Sequence, residues 1–194
     1  MAMAFSAQER QHIREKLLSI ALDSIAAGTM RQTTVDQLAQ KADISKGAFY
    51  HFYPSKEHLF LSALEALHNE MYGRAEKVLQ RQELDIRQRT KLAILEVFHL
   101  SERYNTISFI REDFPLLRRR LPAEVLREHY ISDDERIRKL IVKAGVTLRT
   151  DLETACTTMH LLLFSQLMQK EAGQRYEQAV ELMIEGVCDR AIAE

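Results

Sequence analysis

The segment from residue 33 to residue 56, TTVDQLAQKADISKGAFYHFYPSK, constrains the fold more than any other part of the chain. It predicts two short helices joined by a tight turn at residues 42–44. Thr34 is placed to cap the first helix, because its hydroxyl can accept a hydrogen bond from a free backbone N–H of the first turn. Ser45 is placed to cap the second helix in the same way, and Ser55 a third. This is the layout with which many proteins place a helix in the major groove of DNA.

The second helix, Lys46 to about Phe52, is expected to turn a polar and shallow face outward. Gly47 leaves no side chain to hold the backbone away from a groove, and Ala48 can contact a thymine methyl group. Lys46 can donate to guanine O6 and N7 or to a phosphate. The predicted DNA-binding residues are Thr34, Ser45, Lys46, Gly47, Ala48, Tyr50, His51 and Lys56. The alternative is an ordinary pair of surface helices that match the motif by accident.

These residues resemble the signature of the TetR family of bacterial repressors. The positions that match it without a gap are Thr34, Leu38-Ala39, Ala42, Ile44 to Tyr53 and Ser55-Lys56. Asp43 stands where the family usually has glycine, and Phe52-Tyr53 inverts the usual aromatic order. Because aspartate tolerates the left-handed conformation better than most residues, the turn is expected to survive. Beyond the N-terminal part of the chain the resemblance rests on length and helical pattern only.

The resemblance implies an all-α protein of about nine helices, with residues 1–55 as a three-helix helix-turn-helix DNA-binding domain and residues 56–194 as a helical effector-binding and dimerisation domain. The scarcity of glycine and proline, 6 and 3 residues, favours long helices as well. Apart from the motif, apolar spacing predicts helices at about residues 6–27, 56–82, 86–104, 106–114, 122–144, 151–172 and 175–193.

The formal net charge of -1 excludes a protein that coats nucleic acid indiscriminately. Any DNA contact must come from a local cluster, to which Arg31 and Lys41 can add. Two cysteines far apart in sequence, Cys156 and Cys188, are typical of a reduced, cytoplasmic protein. The start of the chain lacks a basic and then apolar stretch, and no apolar run is long enough to cross a bilayer. We therefore expect a cytoplasmic protein with no membrane partner.

The last two predicted helices have wide apolar faces. They either pack as a pair within one protomer or form a four-helix bundle with a second copy. A repressor of this type needs two DNA-reading helices for two half-sites, which favours the homodimer. The predicted interface residues are Met159, Leu163, Tyr176, Val180, Met183, Ile184 and Val187. Gly186, inside the final helix, is consistent with a close approach of helices there.

An aromatic stripe falls where the family commonly builds a cavity for a small-molecule effector. Its residues are Phe98, His99, Tyr104, Phe109, Ile110 and Phe114. Such a stripe also suits plain core packing, which stays open as the alternative. The run Arg118 to Arg120 is either a partner for an acidic effector or a solvated helix edge.

No catalytic residue is predicted. The chain has neither a Gly-rich phosphate loop nor a nucleophile elbow, and no His-Glu pair at zinc-protease spacing. Cys156 and His160 lie one helical turn apart, and His99 or His129 could join them around zinc or copper, but such a pair is usually core. No metal and no cofactor is predicted. The expected function is a dimeric repressor released from a palindromic operator by a small molecule; the alternatives are an effector-independent architectural or cell-division factor and a metal-responsive sensor.

Overall fold

The computed structural model describes residues 5–193, with the exception of the side chains of residues 132–134. The helices are α1 Ala7–Ala26, α2 Val35–Lys41, α3 Lys46–Phe49, α4 Lys56–Leu79, α5 Ile86–Arg103, α6 Thr106–Glu112, α7 Phe114–Arg120, α8 Ala123–Ala144, α9 Leu152–Phe164, α10 Gln169–Ala172 and α11 Tyr176–Ala191. Single 3-10 turns lie at Ser165–Met168 and Gly173–Arg175. The residues described contain no strand, only an isolated antiparallel bridge between Leu148 and Ile192. The predicted all-α class is confirmed.

The chain forms two compact units. The first comprises the residues up to Leu67 together with Tyr104–Leu126, and the second comprises His68–Arg103 together with the residues from Arg127 onward. The first unit thus contains α6 and α7, whose sequence was expected in the C-terminal domain. This division differs from the predicted one at residue 55, and the functions assigned to the two predicted domains stay predictions.

The first unit is built on α1, whose start follows from a capping box. Ser6 accepts a hydrogen bond from the Glu9 backbone N–H at 3.2 Å, and the Ser6 backbone N–H donates to the Glu9 carboxylate at 2.8 Å. At the other end Gly28 has a φ of 64°, the left-handed conformation that commonly ends a helix. The core of this unit includes Leu17, Ile25, Phe49, Phe60, Leu64, Phe109 and Leu117. Phe109 and Leu117 come from α6 and α7, which explains why these helices belong to this unit.

Helix α7 is absent from the sequence prediction. Pro115 was expected to end a helix, whereas it occupies the first turn of α7. Proline is tolerated there because the first backbone N–H groups of a helix have no partner within the helix. The result is that Arg118, Arg119 and Arg120 form the last turn of a real helix.

In the second unit, Ala75, Val78 and Leu79 of α4 form a small hydrophobic cluster with Ala93 of α5. The larger hydrophobic cluster of that unit is formed by α5, α9 and α11. Its buried residues are Ile94, Phe98, Leu162, Tyr176, Val180, Ile184, Cys188 and Ile192. The single helix predicted for residues 151–172 is wrong, because α9 ends at Phe164 and a 3-10 turn follows. Ser165 Oγ donates to the Leu162 carbonyl at 2.6 Å, and Gln166 Nε2 donates to the Phe98 carbonyl at 3.0 Å. The first bond caps the end of α9, and the second holds the following turn against α5.

Across residues 5–193, no helix combines the length and apolar character that a membrane span requires.

Candidate nucleic-acid interface

Local hydrogen bonds define both helices of the DNA-reading motif. The Gln37 backbone N–H donates to Thr34 Oγ1 at 3.2 Å, and the Thr34 backbone N–H donates back to the Gln37 amide oxygen at 2.8 Å. Ser45 Oγ accepts from the Ala48 backbone N–H at 3.1 Å. Both predicted caps are confirmed. Helix α3 is shorter than predicted, since it ends at Phe49 and not near Phe52.

The turn between the two helices depends on Asp43. Its φ of 57° is left-handed, as expected for an aspartate in the place of the family's glycine. Lys16 of α1 donates to the Asp43 carboxylate. This hydrogen bond and the lysine charge hold the pKa of Asp43 below its ordinary value. The turn is therefore tied to α1 by an ion pair that a glycine could not make.

The inward side of α3 fixes how the helix is displayed. Phe49 is fully buried, and its ring contacts Tyr50 and Tyr53 with centroid distances of 5.6 and 6.2 Å. Phe52 packs against Phe5 with ring centroids 5.8 Å apart. Because the buried rings of Phe49 and Phe52 anchor one side of the segment, its other side faces solvent.

The exposed side carries most of the predicted DNA-binding residues. Thr34, Ser45, Lys46, Gly47, Tyr50 and His51 are exposed, and Ala48 is half-buried. Lys46 Nζ donates to the Asp36 carboxylate of α2 at 2.8 Å, a hydrogen bond that raises the pKa of Lys46. A Cβ added at Gly47 would meet Ser45 Oγ at 3.9 Å, which is ordinary contact. The fold itself therefore does not require a glycine at this position.

Lys56 differs from the other predicted contacts. Its Nζ donates to the carbonyls of Thr33 at 2.7 Å, Met30 at 3.1 Å and Arg31 at 3.4 Å. Burial lowers the pKa of Lys56. The ammonium group thus holds the loop between α1 and α2 in place, and its contact with DNA stays a prediction.

Two ion pairs with buried carboxylates link this region to α6 and α7. Arg31 Nε donates to Asp113 Oδ1 at 2.8 Å, and Arg120 Nη1 donates to Glu57 Oε1 at 2.7 Å. Asp113 and Glu57 are buried. Neither pair can be predicted from the sequence, because the two partners of each pair lie more than 60 residues apart along the chain.

The six predicted effector contacts are divided between the two units. Phe98 and His99 belong to the second unit, while the other four, from Tyr104 to Phe114, belong to the first. Phe98 and Phe109 are each 2% exposed and pack in the core of their own unit. Ligand contact by these residues stays a prediction, and the packing favours a core role for Phe98 and Phe109.

The predicted dimer interface requires a correction. Tyr176, Val180 and Ile184 are buried in the core of their own unit, so they are not available to a second copy. The exposed large apolar residues in this region are instead Leu161, Phe164, Met168, Leu182 and Met183. Met183 is one of the predicted interface residues and the other four are not, and the interface itself stays a prediction. Helix α11 has two apolar faces, and the sequence does not tell which one the protomer itself covers.

A groove of about 500 Å³ runs between α9 and α11. It is lined by Thr150, Thr154, Thr158, Leu161, Leu162, Met183, Gly186, Val187, Arg190 and Ala191. A Cβ at Gly186 would meet nothing within 4 Å, so this glycine opens on the groove.

Among the side chains that the structure describes, which leave out those of residues 132–134, no three metal-binding groups come together. Cys188 is 3% exposed, and burial raises the pKa of its thiol to about 11. Cys156 is half-buried.

Comparison with known proteins agrees with this geometry. Residues 17–63 match the family model described as bacterial regulatory proteins, tetR family. An uncharacterized HTH-type transcriptional regulator, YuxN, from Bacillus subtilis (strain 168) is 40% identical over 62 residues, which span 31% of this chain and 21% of that protein.

Two solved structures show the same fold along most of the chain. A TetR family transcription regulator from Marinobacter aquaeolei VT8 is 16% identical, with a TM-score of 0.68 and coverage of 97% of this chain and 100% of that one. The transcriptional regulator FadR from Bacillus subtilis, solved in complex with stearoyl-CoA, is also 16% identical, with a TM-score of 0.60 and coverage of 90% and 96%. Residues 17–63 of this chain are thus similar to the TetR family of bacterial regulatory proteins, and the fold along most of the chain is similar to that of the two solved structures.

Proposed function

We propose that the protein is a DNA-binding transcriptional regulator that acts as a homodimer on a palindromic operator in the bacterial cytoplasm. The observation that carries the proposal is the exposed side of α3, where Lys46, Gly47, Tyr50 and His51 stand free of the core that anchors Phe49. A helix displayed in this way fits the major groove, and the hydroxyl and imidazole groups beside it suit phosphate oxygens.

Base recognition rests on Lys46. In the absence of DNA its ammonium group is held by Asp36, and both side chains are more than half exposed, at 55% and 65%. Because an exposed ion pair contributes little to stability, Lys46 can leave Asp36 for guanine O6 and N7 at small cost. In the free protein, the ion pair with Asp36 holds the Lys46 side chain beside the exposed face of α3.

Two copies are needed because a palindrome presents the same half-site twice. The exposed apolar residues Leu161, Leu182 and Met183 on α9 and α11 support a second copy as the partner for that face. The two α3 helices would then read half-sites separated by one or more helical turns, about 34–36 Å each.

Repression with release by a small molecule is the regulatory mode that we propose. Helix α4 contributes to both compact units, so a ligand bound in the second unit can shift the DNA-reading unit through it. Such a ligand acts only through different affinities for the two conformations. The FadR structure with stearoyl-CoA supports the idea, because that protein accommodates a ligand on the same fold.

The core positions of Phe98 and Phe109 favour a second candidate, a DNA-binding factor on this scaffold that needs no effector. Side chains that are packed in the core of their own unit are not available to a ligand. A screen of small molecules by thermal unfolding separates the two candidates, since a true effector raises the unfolding temperature.

The function is tested by selecting bound fragments from the source genome and titrating the recovered operator in gel shifts. Lys46→Ala should relax the preference at one base pair, at a cost of about 1–3 kcal/mol there. Lys41→Ala is the matched control, since it removes the same charge from α2 and should weaken all sequences equally. Failure to recover any palindromic fragment would overturn the proposal, and an unchanged preference in Lys46→Ala would remove that lysine from base recognition.

A further inference from the structure

A polar groove lies beside the DNA-reading helices in the first unit. Its volume is about 410 Å³, and its lining includes Arg31, Thr34, Tyr50, Lys56 and Arg120. Thr34 caps α2 and Tyr50 follows α3, so two predicted DNA contacts border the groove. Arg120 is the last residue of α7 and lies outside residues 17–63, the segment that the family model covers.

Arg120 is held in place by an ion pair with the buried carboxylate of Glu57. Its Nη1 donates to Glu57 at 2.7 Å, and the side chains are 62% and 8% exposed. Burial raises the pKa of Glu57, but hydrogen bonds from Arg120, from the backbone and from Ser55 outweigh it and leave that pKa below its ordinary value. A guanidinium group has five N–H donors, so a bond to a buried, ionised carboxylate leaves donors on the exposed side.

Arg31 is anchored in the same manner. Its Nε donates to Asp113 at 2.8 Å, with side-chain exposures of 55% and 7%. Its terminal nitrogen also donates to the Glu112 carbonyl. Two exposed guanidinium groups are thus fixed by buried carboxylates at the edge of one groove. With Lys56, the cations at the groove outnumber the carboxylates that hold them.

We infer that this groove binds a phosphate of the DNA backbone, with Arg120 and Arg31 as its charged donors. The inference rests on the proposed function and extends the DNA-binding surface to α7, a helix outside the helix-turn-helix motif. Arginine recognises phosphate through paired N–H donors, and pre-anchored side chains lose little freedom on binding. Hydroxyl groups of Thr34 and Tyr50 supply neutral donors beside them. The contact positions the protein and does not distinguish base sequences.

The test is the salt dependence of operator affinity. The double variant Glu57→Gln with Arg120→Gln removes the guanidinium without leaving a buried carboxylate unpaired, and it keeps the net charge of the protein. The slope of log affinity against log salt is negative, and each lost phosphate contact makes it less steep by about 0.9. We expect the double variant to lose one phosphate contact in each half-site. Its affinities for operator and for random DNA should fall by the same factor. Arg119→Gln is the control, because it removes a charge from the same turn of α7 but does not line the groove.

A slope in the double variant that equals the wild-type slope would overturn the inference. If the double variant does not fold, as judged by circular dichroism, the same titration on Arg31→Gln with Asp113→Asn decides, and an unchanged slope there overturns it as well. A wild-type protein that binds no operator would instead refute the proposed function, so the two failures are distinguishable.

Discussion

Asp43 and Gly47 lie on either side of the Ser45 cap, and in each case the backbone conformation favours a different residue from the one present. Asp43 holds a left-handed φ of 57° that glycine would adopt more readily, and its carboxylate compensates by pairing with Lys16. Gly47 lies in helical backbone with room for a side chain, where alanine would be favoured. The packing of the fold therefore does not explain the absence of a side chain at Gly47.

Gly47→Ala should separate stability from binding. The free energy of unfolding should stay equal or rise by up to about 1 kcal/mol, since alanine is the better helix former. Operator affinity should fall at least about tenfold, equivalent to about 1.4 kcal/mol, because the new methyl group holds the backbone away from the groove. Urea unfolding and gel-shift titration measure the two effects.

Gly73→Ala in α4 is the control, because a Cβ there meets nothing within 4 Å and lies in the second unit. It should leave operator affinity unchanged. Wild-type affinity in Gly47→Ala would mean that α3 does not approach DNA through its backbone at this residue.

At the scale of single residues, the sequence predicted the contacts between residues that are close together along the chain. Thr34 and Ser45 were identifiable as caps because a cap bonds to a backbone N–H three residues away. The partners of Asp43 and Lys56 were not identifiable, because Lys16 and the carbonyls of residues 30–33 reach them only through tertiary folding. Residue types therefore indicated the DNA-reading surface but not what holds it in place.

Helices α7 and α11 show where sequence patterns leave alternatives open. A proline can end one helix or begin another. The sequence pattern predicts only a helix end at Pro115, whereas Pro115 lies in the first turn of α7. In α11 the series Tyr176, Val180, Ile184 and Cys188 is the covered face, although Leu182 and Met183 are equally apolar. Which face is buried depends on where α5 and α9 lie, and periodicity alone does not contain that information.

The link between α4 and α7 should be sensitive to acid. The pKa of Glu57 lies below its ordinary value of 4.5 in the folded protein, so its ionisation adds stability above that value. This contribution is lost as pH falls through the lowered folded pKa. Below about pH 4.5, the free energy of unfolding of the wild type should therefore fall more steeply than that of the Glu57→Gln, Arg120→Gln variant.

Urea unfolding at several pH values between 7 and 3 measures this difference. Glu9, Asp43 and Asp151 also have lowered pKa values, but they are the same in both proteins and cancel in the subtraction. A difference that is constant with pH would show that Glu57 has the same pKa in the folded and unfolded chains.

At the scale of the whole molecule, the exposed apolar surface of the second unit allows the proposed homodimer to be tested. Val142 and Leu182 are both large, apolar and exposed, at 74% and 71%, and both belong to the second unit. Leu182 lies on α11 beside the exposed Met183, whereas Val142 lies on α8. Substitutions at these two residues can be compared directly, because both side chains are apolar and similarly exposed and differ mainly in the helix on which they lie.

Leu182→Glu should convert the proposed dimer to a monomer of 22.5 kDa, because a charge without a partner would be buried in an apolar interface. Val142→Glu should keep twice that mass. Light scattering measures the mass, and gel shifts should show that the monomer loses the palindrome yet retains weak binding to one half-site. The loss follows from avidity, since the second DNA-reading unit is no longer held at high effective concentration. A dimeric Leu182→Glu beside a monomeric Val142→Glu would move the interface to α8.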